Sequence, residues 1–127
     1  IGGVLKIQTM VTAATMTSIL ETLGFSLPKS STIPAPDSNL PRMASDSGRR
    51  IVDMVWEDLT PKDILTWPSI ENAVRVLMAL GGSTNALIHL IAIAKRAGFS
   101  IPLELFEQLG KSTPYLVNMR PSGEYLL

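Results

Sequence analysis

Ala79-Leu80-Gly81-Gly82-Ser83-Thr84-Asn85-Ala86-Leu87-Ile88-His89-Leu90 is the stretch whose reading decides the fold. An apolar helical run stops at a glycine pair and restarts behind three small polar residues. Two glycines in tandem let the backbone turn sharply and come close to a neighbour. Ser83, Thr84 or Asn85 then stands where the next helix needs a cap, because its first amides have no partner within the helix. The same junction is a place where an anion can sit, since free N–H groups and the positive end of the helix dipole meet there. Both readings of these three residues, plain caps or the wall of a site, stay open at this point.

Outward from the junction the chain reads as helices. Thr12 to Leu23 carries Met16, Ile19, Leu20 and Leu23 on one stripe and stops at Gly24. Pro28 to Pro41 holds four prolines among Ser, Asp and Asn, so residues 28–41 form a surface loop that Ile33 and Leu40 can pin. A second helix is expected over Pro41 to Leu59, with Met43, Ile51, Met54, Val55 and Leu59 facing the core and Gly48 weakening its middle. Thr60-Pro61-Lys62-Asp63 has the form of an N-cap followed by proline at the first helical position. Ser69-Ile70-Glu71-Asn72 opens another helix with Val74, Leu77, Met78 and Leu80 as its apolar face. Asn85 to Ala97 is apolar nearly all round and is therefore expected to be central, with Lys95, Arg96 and Gly98 as a well-formed end. Pro102 to Leu109 gives a short helix closed by Gly110, and Tyr115 to Met119 is the one convincing strand. The fold class is thus mainly α with one or two short strands.

Composition narrows the function. Eleven basic and eleven acidic residues leave no net charge, so neither a nucleic acid nor a membrane is an expected partner. Apolar residues make up 46% of the 127 and charged ones only 17%, against roughly 25% charged in an ordinary soluble domain. A small domain has much surface for its volume, so part of this chain is expected to lie against something else. With no initiator Met at Ile1 and an apolar end at Tyr125-Leu126-Leu127, it reads as a piece of a longer protein. Val76 to Ala94 is long enough and free enough of charge to suggest a membrane span, but Gly81 to Asn85 cuts it in half. No cysteine is present, which removes thiolate metal sites, disulfides and cysteine nucleophiles. The expected compartment is the cytoplasm, with the mitochondrion as the alternative.

The remaining polar residues point to little chemistry. His89 is the only imidazole and is read as a hydrogen-bonded core histidine rather than a catalytic base or ligand. Asp46, Asp53, Glu57 and Asp58 share part of a helix face and are read as ordinary surface charge rather than a hard-cation site. Arg49 and Arg50 are salt-bridge donors before they are an anion site. Gly81-Gly82 without a following Lys is not a phosphate-binding loop. Arg120-Pro121-Ser122-Gly123 resembles a turn.

Four ordered stretches carry a family resemblance. They are Thr12-Ala13-Ala14-Thr15-Met16 with Glu21, Leu23-Gly24 and Leu27-Pro28; Ser31-Thr32-Ile33-Pro34-Ala35; Glu71-Asn72-Ala73 running into Ala79 to Ala86; and Arg120 to Gly123. Together they resemble the dihydroxy-acid dehydratase and sugar-acid dehydratase family. The resemblance covers residues 10–127, a partial N-terminal domain, and leaves 1–9 as a segment that does not match. It implies the helical part of an α/β N-terminal domain from a lyase of the hydro-lyase class. Such an enzyme turns 2,3-dihydroxy carboxylates or sugar acids into 2-keto acids, in branched-chain amino-acid biosynthesis or aldonic-acid catabolism. It implies a small dihydroxy acid as partner, homo-oligomers, an iron–sulfur cluster and magnesium. In the family Cys-Gly-Gly-Met precedes the first motif, and the cysteine ligates the cluster. Here the aligned residues are Ile7, Gln8, Thr9 and Met10, and isoleucine cannot ligate iron. The resemblance therefore carries over no catalytic, cofactor-binding or metal-binding residue and no cofactor held by this chain. Gly81, Gly82, Ser83, Thr84 and Asn85 are expected to support a site. A non-catalytic truncated protein acting through a partner or a full-length relative is the alternative.

Overall fold

The computed structural model describes residues 11–120 and 123–125. Among them the chain is helical: α1 (Thr12–Thr22), α2 (Asn39–Trp56), α3 (Pro61–Ile64), α4 (Trp67–Ala79), α5 (Thr84–Arg96) and α6 (Leu103–Ser112), with a 3₁₀ turn at Ser30–Thr32. The hub is α4, which packs on α1, α5 and α6, while α1 also meets α5. Ile70, Ala73, Val74 and Leu77 of α4 are buried, joined by Ile19 of α1 and Leu23 at its end, Ala86, Leu90 and Ala94 of α5, and Phe106 and Leu109 of α6.

Local chemistry explains the helix ends. Gly24 and Gly98 take positive φ, at 88° and 93°, just past α1 and α5, where glycine meets no Cβ penalty. Thr60 opens α3 with Pro61 at the first position, and the Asp63 carboxylate accepts the Thr60 amide at 2.8 Å. Hydrogen bonding from the Thr60 hydroxyl and then its amide holds the Asp63 carboxyl below its ordinary range.

Several expectations need correction. The helix placed at Ser69 starts at Trp67: Thr66 is the cap, and Ser69 is the third residue of a reciprocal pair in which each side chain accepts the other's amide. Gly110 does not close the last helix but lies inside α6, where a Cβ would stand 3.3 Å from Met78 Sδ; α6 presses on α4 there. The strand expected over Tyr115 to Met119 is extended chain with no neighbouring strand among the described residues. Its Leu116 amide bonds the Ala79 carbonyl at 2.9 Å, and only an isolated bridge joins Met119 to Tyr125. In α5, Ala86, Leu90 and Ala94 turn inward while Ile88, His89 and Ala92 are exposed. The helix lies on α4 by one face, so α4 and not α5 is central.

The largest difference is α2. None of its residues is buried, so Met43, Ile51, Met54 and Val55 are not core residues, and Leu59, past its end, is only half-buried. It makes none of the substantial helix–helix contacts. One side overlooks an open groove of about 780 Å³, lined by Phe25, Leu27 and Ile64 on the body and Arg50, Ile51 and Met54 on the helix. No helix among the described residues is long and apolar enough to cross a membrane.

Glu21 ties the proline-rich loop to α1. Its Oε1 accepts the Lys29 amide at 2.6 Å and its Oε2 accepts the Ser31 amide at 2.8 Å. Burial pushes its carboxyl up, but the hydrogen bonds from Ser31, Lys29 and Ser30 outweigh that and hold it below its usual range. A carboxyl that ionises lower when folded stabilises fully above its unfolded value, about pH 4.3. That contribution is lost as pH falls through the folded value. Glu21→Gln is expected to cost about 1–2 kcal/mol at neutral pH. The gap in urea midpoint between parent and variant should close as pH drops from 7 to about 3; a constant gap would disprove the assignment.

Candidate functional site

The segment 79–90 and the start of α1 are nearly seventy residues apart and meet at one point. Of the two glycines expected to make the sharp turn, Gly81 takes φ 57° and Gly82 does not take a positive φ. Gly81 faces the Tyr115 ring, which a Cβ there would overlap. Gly82 is needed for a different reason. A Cβ on it would stand 2.5 Å from Thr15 Cγ2 and 2.9 Å from Leu77 Cδ1, so the α4–α5 turn presses its bare backbone onto α1.

Hydrogen bonds complete the junction. Thr15 is fully buried, and its Oγ1 accepts the Ser83 amide at 3.1 Å. The Thr12 and Ser83 hydroxyls lie 3.0 Å apart, and Asn85 Nδ2 donates to Thr12 Oγ1 at 3.1 Å. Ser83 caps α5 by accepting the Asn85 amide at 3.3 Å. Capping is therefore the work of Ser83, while the Asn85 side chain turns to α1 and Thr84 is exposed. Thr12 and Thr15 are the residues to which the sequence attached no role. Their spacing of three on one helix face is the signal that places both hydroxyls toward the junction.

The arrangement sets two helix N-termini side by side, with no ionised side chain among the described residues that form the junction. Their dipoles add a positive potential, and the Val11 that begins α1 has no side-chain acceptor to cap it. Chemically this is a small neutral-donor patch suited to hold and orient an oxyanion or hydroxyl. The other candidates lie elsewhere. His89 is exposed on α5, which overturns its reading as a core histidine. Arg49 pairs with Asp46 at 3.0 Å and Arg50 with Glu57 at 2.7 Å, so both serve as salt-bridge donors. Arg120 Nε donates to the Glu124 carbonyl across a turn closed by Gly123 N–H to Met119 O, 2.7 Å; Pro121 and Ser122 lie outside the described residues, as does Ile7. No group of three or more His, Asp or Glu that could hold a metal exists among the described residues.

Comparison with known proteins identifies the junction's relatives. The family model described as dihydroxy-acid/6-phosphogluconate dehydratase N-terminal matches residues 6–127. This chain belongs to that family. The match begins at residue 6, ahead of Met10, and takes in Ile7. A dihydroxy-acid dehydratase of Methanosarcina barkeri is 48% identical over 122 residues, 96% of this chain and 22% of that protein. A 6-deoxy-6-sulfo-D-gluconate dehydratase of Pseudomonas putida is 51% identical over 120 residues, 94% of this chain and 21% of that protein. A dihydroxy-acid dehydratase of Geobacter sulfurreducens is 47% identical over 125 residues, 98% of this chain and 23% of that protein. The chain spans less than a quarter of the length of these relatives.

Two predictions test the junction. Gly82→Ala is expected to destabilise by about 1–3 kcal/mol, because the methyl group must displace buried Thr15; a melting temperature equal to the parent's would refute the close approach. Thr15→Val keeps the shape but strands the Ser83 amide. It should cost about 1–3 kcal/mol, against about 0.5–1 kcal/mol for exposed Asn85→Ala. Thermal melts of both would rank them in that order, and the reverse order would place the key contact at Asn85.

Proposed function

We propose that this chain is the helical part of the N-terminal domain of a dehydratase that takes water from a 2,3-dihydroxy carboxylate or sugar acid and leaves a 2-keto acid. The observation that carries this is the meeting of the first and third family motifs at a single point, through Thr12, Thr15, Ser83 and Asn85. Family membership and relatives that dehydrate both kinds of acid support the reaction class. The two helix N-termini give an anionic substrate a place to rest its carboxylate or a hydroxyl. Gly81 to Asn85 act in a supporting role there, shaping and orienting rather than reacting.

The residues present do not fit an iron–sulfur cluster or a magnesium site. The 127 residues include no cysteine, and the acids of the described residues do not gather. The ligands of both groups belong to other parts of a longer polypeptide. In isolation the chain is inactive. The second reading, a non-catalytic piece that works by association, draws on the exposed apolar side of α2.

A transplant tests the proposal. Residues 12–120 are exchanged for their counterparts in the Methanosarcina barkeri relative, which keeps its own flanks. Retention of 2-keto acid formation within about tenfold, about 1.4 kcal/mol of barrier, is expected. A folded chimera that binds its cofactors but has lost turnover would overturn the proposal. So would turnover by the 127-residue chain alone after treatment with iron, sulfide and magnesium.

A further inference from the structure

An open cavity of about 540 Å³ lies between the loop after α1, the α3 segment and the end of α5. Leu65, only 3% exposed, is its buried floor, and Phe25, Ile93 and Ala97, which pack against the same core, are its apolar walls. The volume is that of pockets that take small organic ligands, roughly 300–1,000 Å³. Two residues depart from this apolar lining. Lys62 of α3 and Arg96 of α5 both line the cavity and both are exposed. Side chains of this kind lay their stems along an apolar wall and keep their charged ends hydrated.

Nothing among the described residues neutralises these two cations. The ion pairs found there occupy Arg49, Arg50 and Lys111, and none involves Lys62 or Arg96. Asp63, next to Lys62, is taken: its carboxylate accepts the Thr60 amide at 2.8 Å and the Thr60 hydroxyl at 2.5 Å. Helix α5 carries no acidic residue along its whole length. Lys95 stands beside Arg96 in the last turn but does not line the cavity.

We infer that this cavity is a binding site for a small amphipathic anion, a medium-chain aliphatic carboxylic acid, with its carboxylate held between Lys62 and Arg96. Each feature of the lining selects against another occupant. An inorganic anion leaves the apolar walls wet, and a neutral apolar molecule leaves both cations unanswered. A packed segment of polypeptide brings backbone amides and carbonyls that these walls cannot satisfy. An aliphatic acid brings one polar group, and the cavity holds two partners for it, one of them the arginine fork that grips a carboxylate at both oxygens.

This site stands apart from the dehydratase reading and needs no assay of activity. Octanoate is the probe, with octanol and octylammonium as molecules of the same body and different charge. Titrated into the isotope-labelled 127-residue chain, octanoate is expected to shift the amide signals of residues 62–65 and 93–97 to saturation, with a Kd on the order of 0.1–1 mM. Octanol should bind about tenfold more weakly, and octylammonium should leave these signals in place. Replacing both cations, Lys62→Ala with Arg96→Ala, should weaken octanoate about tenfold or more without changing octanol. Both residues are exposed, so the melting temperature should stay near the parent's. Lys95→Ala removes the same charge from the same helix end outside the cavity, and it should bind octanoate as the parent does. Equal affinity for octanoate and octanol, or an equal loss in Lys95→Ala, would overturn the inference. So would the absence of saturation up to about 10 mM, which would mark the cavity as a seat for other polypeptide.

Discussion

The contact between the bare backbone of Gly82 and the buried Thr15 side chain organises the rest of the molecule. It brings the α4–α5 turn onto α1, and the Thr15 hydroxyl takes the Ser83 amide in the same move. A methyl group at Gly82 would force the helices apart, and with them Thr12, Ser83 and Asn85. The positive φ of Gly81, beside it, lets α4 end and the chain reverse while the Tyr115 ring covers the turn. Two adjacent glycines thus serve different physical needs: one a backbone conformation, the other a distance.

Around that contact the fold is held by apolar packing and neutral hydrogen bonds. The ion pairs found among the described residues are exposed and local, joining Arg49 to Asp46, Arg50 to Glu57 and Lys111 to Glu107, and such pairs add little stability. Glu21 is the exception in kind, because its carboxylate collects backbone amides and fastens a loop that its prolines keep from forming a helix. The low charge content follows from this design. Where the chain needs polar contacts it uses Thr, Ser and Asn, and much of its remaining surface is apolar.

That economy is consistent with the proposal of a segment that helps shape a site completed by other groups. The junction offers hydroxyls, an amide side chain and two helix dipoles, none of which can move a proton at neutral pH or bind iron. Groups of this kind are suited to hydrogen-bonding an anionic or hydroxylated ligand rather than to breaking its bonds. The apolar side of α2 is exposed, although a helix so amphipathic ordinarily lays that side against a partner.

Much was legible in the residues themselves. The glycine stops at Gly24 and Gly98, the Thr60-Pro61 start and the stripe of α1 are local devices, and local sequence determined them because each depends on neighbours within one turn. The ordered motifs also carried the family. Tertiary structure alone decided what faced what. Periodicity marks an apolar face but not whether anything covers it, so Val55 of α2 and Ile88 of α5 looked like core and lie in solvent. The extended chain after Pro114 had the composition of a strand, yet pairing needs a neighbour that sequence does not supply. Thr12 and Thr15 gained their role only when a turn nearly seventy residues away closed on them, because a hydroxyl becomes a site residue through the groups that long-range packing brings within hydrogen-bonding distance.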